Sequence, residues 1–294
     1  MPSVDETRRL GDLPADAPVP SPSPSLRTAR YRPGVEIAEG GMGKVLLVHD
    51  QELDRNVVMK VLRGDRRDPD SLRRFLDEAR ITARLEHPNI VPVYDRATDA
   101  DGLPYFTMKM VRGVDLGEII AARRKGEVQY SLIRILQVFQ SICDAIGYAH
   151  DQGIIHRDLK PENVMHGDYG EVFVMDWGLA KELARPEAPG RATPLPPRHE
   201  TANSRTLDGV IVGTPAYMAP EQARGDQAAM GAHSDLYALG AILYEILTRE
   251  QPYVGRDPQE IPDRIAAAPP RLPRDIDPGI PPPLEAICLK AMAR

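Results

Sequence analysis

Eight consecutive residues, His156-Arg157-Asp158-Leu159-Lys160-Pro161-Glu162-Asn163, constrain this chain more than any other stretch. Pro161 fixes its own φ and pushes Lys160 away from helical backbone, so the octet is expected on a shaped loop rather than inside a helix. Such a loop points a carboxylate, two cations and an amide into one space. Asp158 can take a proton from a hydroxyl, Lys160 can neutralise charge on a transferring phosphoryl group, and Asn163 can offer its amide oxygen to a hard cation. Asp176-Trp177-Gly178, thirteen residues beyond Asn163, supplies a second oxygen ligand. An isolated His-Arg-Asp is most simply a charged surface loop; the full octet followed at this spacing by Asp176 is not.

The chain's 294 residues, 42% of them apolar, suit one large domain or two small lobes. Its net charge of −6 leaves no basic surplus to recruit nucleic acid. Cys143 and Cys288 fall in apolar helical patterns, which favours buried thiols and a reducing compartment over a disulfide. The longest apolar run, Leu236 to Tyr244, is well short of the roughly 18 residues of a spanning helix. No apolar signal-peptide core is visible at the N-terminus. Prolines cluster at 14–24, 186–197 and 269–283. The first cluster predicts a disordered proline-rich arm over 1–30.

Ile37-Ala38-Glu39-Gly40-Gly41-Met42-Gly43-Lys44-Val45 is a glycine-rich turn running into an apolar strand. Glycines there let backbone amides approach a phosphate, although many hairpins carry such a turn. A second strand, Val57 to Leu62, contains Lys60. A lysine in an apolar strand either sits on a solvated face or needs an anionic partner, because burying an unpaired ammonium is costly. The spacing predicts a helix over 70–86, capped by Asp70 or Ser71, with Leu72, Phe75, Leu76, Ala79 and Ala83 on one face. Glu78 lies on it and by itself reads most simply as a surface partner of Arg74. Strands are expected at Val91 to Tyr94 and Tyr105 to Val111. A long helix follows from a Ser131 cap to about Gln152, ended by Gly153. Val172 to Met175 forms a short strand delivering Asp176. Prolines break residues 177–221, and Asp235 opens an apolar helix.

Taken together, from about Tyr31 to Arg294, these motifs resemble the bacterial eukaryotic-type (Hanks-type) serine/threonine protein kinases. The resemblance implies an α+β, two-lobed protein-kinase-like fold. A small antiparallel β N-lobe with one helix would span about 31–111, and a larger, mainly helical C-lobe about 112–294. It implies ATP with Mg²⁺, or Mn²⁺ in its place, and transfer of the γ-phosphate to serine or threonine hydroxyls of protein substrates. Residues 37–45, Lys60, and the hinge Met108, Lys109, Met110 and Val111 would hold the nucleotide. Lys60 would pair with Glu78, Asp158 would accept the substrate proton, Lys160 would steady the γ-phosphate, and Asn163 and Asp176 would bind the metal. Asp235 would cap its helix and brace the catalytic loop, and Thr214 would dock the peptide.

There are departures. Ala38 replaces the first glycine, Asp-Trp-Gly replaces Asp-Phe-Gly, and the segment from Asp176 to Glu221 is long. The final helix, whose arginine pairs with the residue at Glu221 in relatives, is missing, which points to a fragment of a longer protein. The resemblance further implies autophosphorylation, by a second copy in a homodimer, of Thr206 or else Thr201 or Ser204, with Arg157 receiving the phosphate. A cytoplasmic location is expected, with no membrane segment in this chain; many members of the family that it resembles continue into a membrane span, so an anchor in the parent protein beyond residue 294 is compatible with this expectation. A pseudokinase and a small-molecule phosphotransferase are the competing readings. The first would keep the fold without the chemistry; the second generally lacks a segment like Gly213 to Glu221.

Overall fold

A computed structural model describes residues 30–32, 34–39, 43–126, 130–183, 215–255 and 260–293. The chain divides into two compact units. One comprises the described residues up to Tyr148 with Pro161–Ala180; the other comprises Ala149–Lys160 and the described residues from Lys181 onward.

The first unit is built on an antiparallel sheet. Its strands are β1 (Tyr31–Arg32), β2 (Glu36–Glu39), β3 (Gly43–Asp50), β4 (Arg55–Leu62), β5 (Val93–Thr98) and β6 (Pro104–Met108), in the order β1-β3-β4-β6-β5, with β2 also paired to β3. Alternation along β4 divides its side chains between two faces. Val57, Met59 and Val61 pack with Tyr31, Leu46, Val48, Leu103 and Tyr105 on one face. Leu62 packs with Phe106 and the α1 residues Phe75 and Ala79 on the other, so Lys60 shares the face that meets the helix.

Helix α1 (Pro69–Arg84) begins earlier than the sequence predicts. Asp68, not Asp70 or Ser71, is the N-cap: its carboxylate accepts from the Ser71 N–H at 2.9 Å. Pro69 is the first helical residue, where its missing N–H costs nothing. Phe75, Glu78, Ala79 and Thr82 recur at helical spacing on the buried stripe.

A smaller sheet of β7 (Gly113–Asp115), β9 (Val164–Gly167) and β10 (Val172–Val174) completes this unit, with α2 (Leu116–Arg124) and most of α3 (Leu132–Asp151). Asp115 caps α2 by accepting from the Glu118 N–H at 2.9 Å. Burial, with the charges of Glu118 and Glu162, pushes its carboxyl up to about 6. Between about pH 4 and 6 the unfolded chain ionises Asp115 while the folded one keeps the proton, so this group's contribution to stability falls as pH rises through that window. Asp115→Asn keeps a capping oxygen and removes the charge. Its stability relative to wild type, followed by thermal melts, is expected to climb from pH 4 to 6 and to level off above 7. A difference independent of pH would contradict this.

In the second unit β8 (Ile154–Ile155) pairs antiparallel with β11 (Lys181–Glu182). Its helices are α4 (Pro220–Ala223), α5 (Ala232–Thr248), α6 (Glu260–Ala267), α7 (Pro273–Ile276) and α8 (Pro282–Ala291). α5 is buried along most of its length and packs against α8 at Gly240. A Cβ there would meet Ala291 Cβ at 2.9 Å, so the close approach depends on glycine. Both cysteines are free thiols. Burial pushes Cys143 up to about 11 and Cys288 up to about 12, which leaves them unreactive.

Candidate active site

The first unit encloses a cavity of about 280 Å³ between β2, β3, β4, β6 and the segment reaching Trp177. Its walls include Val45, Val58, Met108 and Met165, and its polar groups include Lys60, Glu78 and Asp176. Strand register sets this up. Val45 lies opposite Lys60 and Gly43 opposite Leu62, and a Cβ on Gly43 would come within 2.8 Å of the Val61 carbonyl oxygen.

Most of the residues expected at a nucleotide line this cavity: Ile37, Ala38, Glu39, Gly43, Val45, Lys60, Met108, Lys109 and Val111. Met110 and Lys44 do not. Lys44 Nζ instead donates to Glu36 Oε2 at 2.9 Å along the same hairpin, and that bond holds its pKa above the ordinary lysine value. Gly40, Gly41 and Met42 lie outside the described residues. Ala38 sits in β2 without a positive φ, so alanine carries no left-handed strain there. Lys109 places its ammonium 4.5 Å from the centre of the Phe173 ring. Val58, Thr82, Val91, Phe106, Met165, Met175 and Trp177 complete the lining and were not singled out from the sequence. For Val58 the signal was present, since it sits two residues before Lys60 on the same strand face.

The polar groups form an ion cluster. Lys60 Nζ lies 2.5 Å from Glu78 Oε1 and 3.6 Å from Asp176 Oδ1. Glu78 is therefore buried against the lysine, not paired with Arg74 on the surface. Burial alone would lower the Lys60 pKa, but the two carboxylates outweigh it and hold the ammonium charged. Burial, aided by the Asp176 charge, lifts the Glu78 carboxyl above its usual range. Among the described residues Glu78 Oε2 has no hydrogen-bond partner. Asp176 has φ 54°, a left-handed conformation that aspartate tolerates better than most residues. Asn163 ends a buried 3-10 turn that begins at Pro161. Its carbonyl accepts from the Met175 N–H at 2.8 Å, tying the turn to the residue before Asp176.

Asp158, Lys160 and Arg157 belong to the second unit. Asp235 lies within the first turn of α5, which begins at Ala232 and not at Asp235 as expected. Its carboxylate does not cap that helix. It accepts from the His156 and Arg157 N–H groups and contacts His150 Nε2, each at 2.8 Å. Burial would raise its pKa, but these partners prevail and hold the carboxyl below its usual range. They also fix Arg157 at φ 70°. Gln222 Nε2 donates to the Arg157 carbonyl at 2.7 Å.

Burial pushes the Arg157 guanidinium below its ordinary value, with Asp235 opposing. Its closest partners are neutral: Gln227 Oε1 and Met230 S, each at 3.4 Å. Lys160 Nζ lies 3.1 Å from Asp158 Oδ2. Glu221 accepts from Ser234 Oγ at 2.5 Å and lies 3.3 Å from His233 Nε2. Thr201, Ser204, Thr206 and Thr214 lie outside the described residues.

Comparison with known proteins agrees with this geometry. Residues 31–276 match the protein kinase domain. The chain is 41% identical over 226 residues to the serine/threonine-protein kinase PknD of Protochlamydia amoebophila, covering 74% of this chain and 23% of the relative. It is 38% identical over 276 residues to PknB of Mycobacterium tuberculosis, covering 92% of this chain and 41% of that protein. PknD of Chlamydia trachomatis is 39% identical over 272 residues, or 87% of this chain and 28% of the relative. The chain thus spans less than half the length of these curated relatives. Its α+β fold, its ion cluster and its matched span agree, and the chain belongs to the protein kinase domain family.

Proposed function

We propose that this chain is the catalytic domain of a serine/threonine protein kinase, moving the γ-phosphate of ATP to serine and threonine hydroxyls of proteins. The observation that carries this reading is the Lys60–Glu78–Asp176 cluster lining a largely apolar cavity of purine-compatible size. The donor set also fits a nucleotide-bound Mg²⁺, or Mn²⁺ in its place. No cluster of three or more acidic, histidine or cysteine residues among the described residues could cage a metal alone. Mg²⁺ characteristically takes one or two protein oxygens and completes its shell with phosphates and water. Asp176 and Asn163 are the residues that would hold it.

Bound Mg²⁺·ATP supplies the transferable phosphoryl group and offsets charge on its oxygens. The chain's own residues do the rest. Lys60, held charged and oriented by Glu78, binds phosphate oxygens. Residues 37–45 supply backbone amides, and Met108 to Val111 hold the base. Asp158 orients the acceptor hydroxyl and takes its proton, while Lys160 neutralises charge at the transferred group. Thr214 docks the substrate peptide. The domain occupies 31–294, with an N-lobe over about 31–111 and a C-lobe over about 112–294. No helix among the described residues is long and apolar enough to cross a membrane.

Regulation is proposed through Arg157, a half-buried cation that no carboxylate approaches to ion-pair distance among the described residues. A phosphate brings about −1.5 to −2 charges and three acceptor oxygens. Thr206 is the first-choice acceptor, with Thr201 and Ser204 next, modified by a second copy of the chain. Thr206→Ala is expected to lower activity and to delete the main phosphosite in a mass-spectrometric map after incubation with Mg²⁺·ATP. Wild-type rates in this variant would overturn the assignment. The function itself is tested by incubating the chain with γ-labelled ATP, Mg²⁺ and a generic protein. Label in phosphoserine or phosphothreonine, abolished by chelating the metal, supports it; no label with either Mg²⁺ or Mn²⁺ would overturn it.

A further inference from the structure

The first unit contains a second and larger cavity, of about 570 Å³, which shares no lining residue with the nucleotide cavity. β7, α2, the start of α3 and the end of β9 enclose it. Its size lies in the range of ligand sites. Four hydrogen-bond donors line it: His166, Tyr130, Arg134 and Lys125.

His166 is 5% exposed. Its ring meets the edge of Tyr130 at 5.6 Å, and among the described residues no other residue hydrogen-bonds its nitrogens. Burial, helped by the charge of Arg134, pushes the imidazole below its ordinary value. The ring is then neutral and carries a single N–H, which also lies near the residue's own backbone. Arg134 lies over the Tyr130 ring, 5.8 Å from its centre. Neither Arg134 nor Lys125 has a carboxylate at ion-pair distance among the described residues. α3 begins beside the cavity with no acidic residue in its first turn, so the partial positive charge of its N-terminus is not offset there. Two cations, a buried histidine that no other described residue hydrogen-bonds, and a helix N-terminus together favour an anion.

Two carboxylates, Glu118 and Asp168, also line the cavity and limit what kind of anion fits. They disfavour a polyanion and favour one anionic group with neutral or basic neighbours. Two exposed apolar side chains adjoin the cavity along the chain. Tyr169, 95% exposed, follows Asp168, and Ile133, 73% exposed, precedes Arg134. They offer hold to the residues flanking such a group, which favours a peptide over a free ion.

We propose that this cavity docks a phosphorylated serine or threonine side chain of a protein substrate. The proposal rests on the kinase reading above, because a phosphomonoester on such a hydroxyl is the product of that reaction. A protein already modified at one position would be held here while a second hydroxyl enters the active site. The oxygens of a phosphate can accept charge-assisted hydrogen bonds from cations such as Arg134 and Lys125 and neutral ones from His166 and Tyr130.

The test is fluorescence polarisation of a phosphoserine peptide with neutral and basic flanks, without nucleotide, beside its unphosphorylated counterpart. The phosphopeptide is expected to bind at least about tenfold tighter, the effect of one charge-assisted hydrogen bond. Arg134→Glu and Lys125→Glu should each reduce that preference, and the double variant should lose it. Transfer of γ-phosphate to an unprimed peptide should be unchanged in all three.

Equal binding of the two peptides, or a preference that survives the double variant, would overturn the proposal. So would displacement of the phosphopeptide by inorganic phosphate at comparable concentration, which would make this a free-phosphate site. Wild-type transfer to the unprimed peptide tests the kinase reading separately. Its failure alongside an intact Arg134-dependent preference would sink that reading and leave the docking site standing.

Discussion

Asp158→Asn is expected to lower phosphate transfer by roughly 10²–10⁴-fold, the range for a positioned acid–base group, and to leave ATP affinity unchanged. Asparagine keeps the shape of the side chain but cannot take the proton of the acceptor hydroxyl. It also weakens the hold on Lys160, whose Nζ lies 3.1 Å from the carboxylate. On the proposed reading the nucleotide is held elsewhere, in the cavity that Lys60 lines. Steady-state kinetics gives the turnover. Binding can be followed through Trp177, the chain's single tryptophan, which lines the nucleotide cavity. Undiminished turnover in the variant would remove Asp158 from the reaction.

Asp235→Ala is expected to have the largest effect on stability. The substitution leaves the buried N–H groups of His156 and Arg157 and the His150 ring without their shared acceptor. A buried donor left unmade costs about 1–3 kcal/mol, and loss of one partner from a buried charged network costs roughly 3–5 kcal/mol. We expect a loss in that upper range by urea denaturation, together with loss of activity, because Asp158 follows directly on the braced segment. Asp235→Asn should fall between, since it keeps one acceptor oxygen. The carboxyl is held below its usual range. The wild-type contribution is therefore complete at neutral pH and is lost only as pH falls below about 4. A variant with wild-type denaturation midpoint would mean that the loop holds its shape without this carboxylate.

Much of the frame was legible because periodicity carries geometry. Alternation in β4 and helical spacing in α1 predicted two apolar stripes, and these pack on each other. Spacing alone read Glu78 as a surface partner of Arg74; its pairing with Lys60 was implied only by the family resemblance. The start of α1 was misplaced by giving weight to Asp70 and Ser71; Pro69 at the first helical position was the better signal, since it leaves Asp68 as the cap. Lys44 was assigned to the nucleotide by its place in a motif, yet a cross-strand carboxylate takes its charge. The departure at Ala38 proved conformationally harmless for a local reason: its φ is not positive. The left-handed backbone at Arg157 could not be read from residue type, because hydrogen bonds to Asp235 and Gln222, distant in sequence, hold it. The His166 cavity had no sequence signature either. Its donors come from the residue that ends α2, the stretch just before α3, α3 itself and β9, and no spacing links them.

The central claim, that this domain moves phosphate from ATP to protein hydroxyls, is tested most directly by one single-turnover experiment. Enzyme in excess over γ-labelled ATP is mixed with Mg²⁺ and a protein substrate, and ADP and phosphoserine plus phosphothreonine are counted in the same quenched samples. The account predicts equal amounts of the two products at every time, and neither from Asp158→Asn on that timescale. ADP without phosphoprotein, or bound ATP that yields neither, would contradict it.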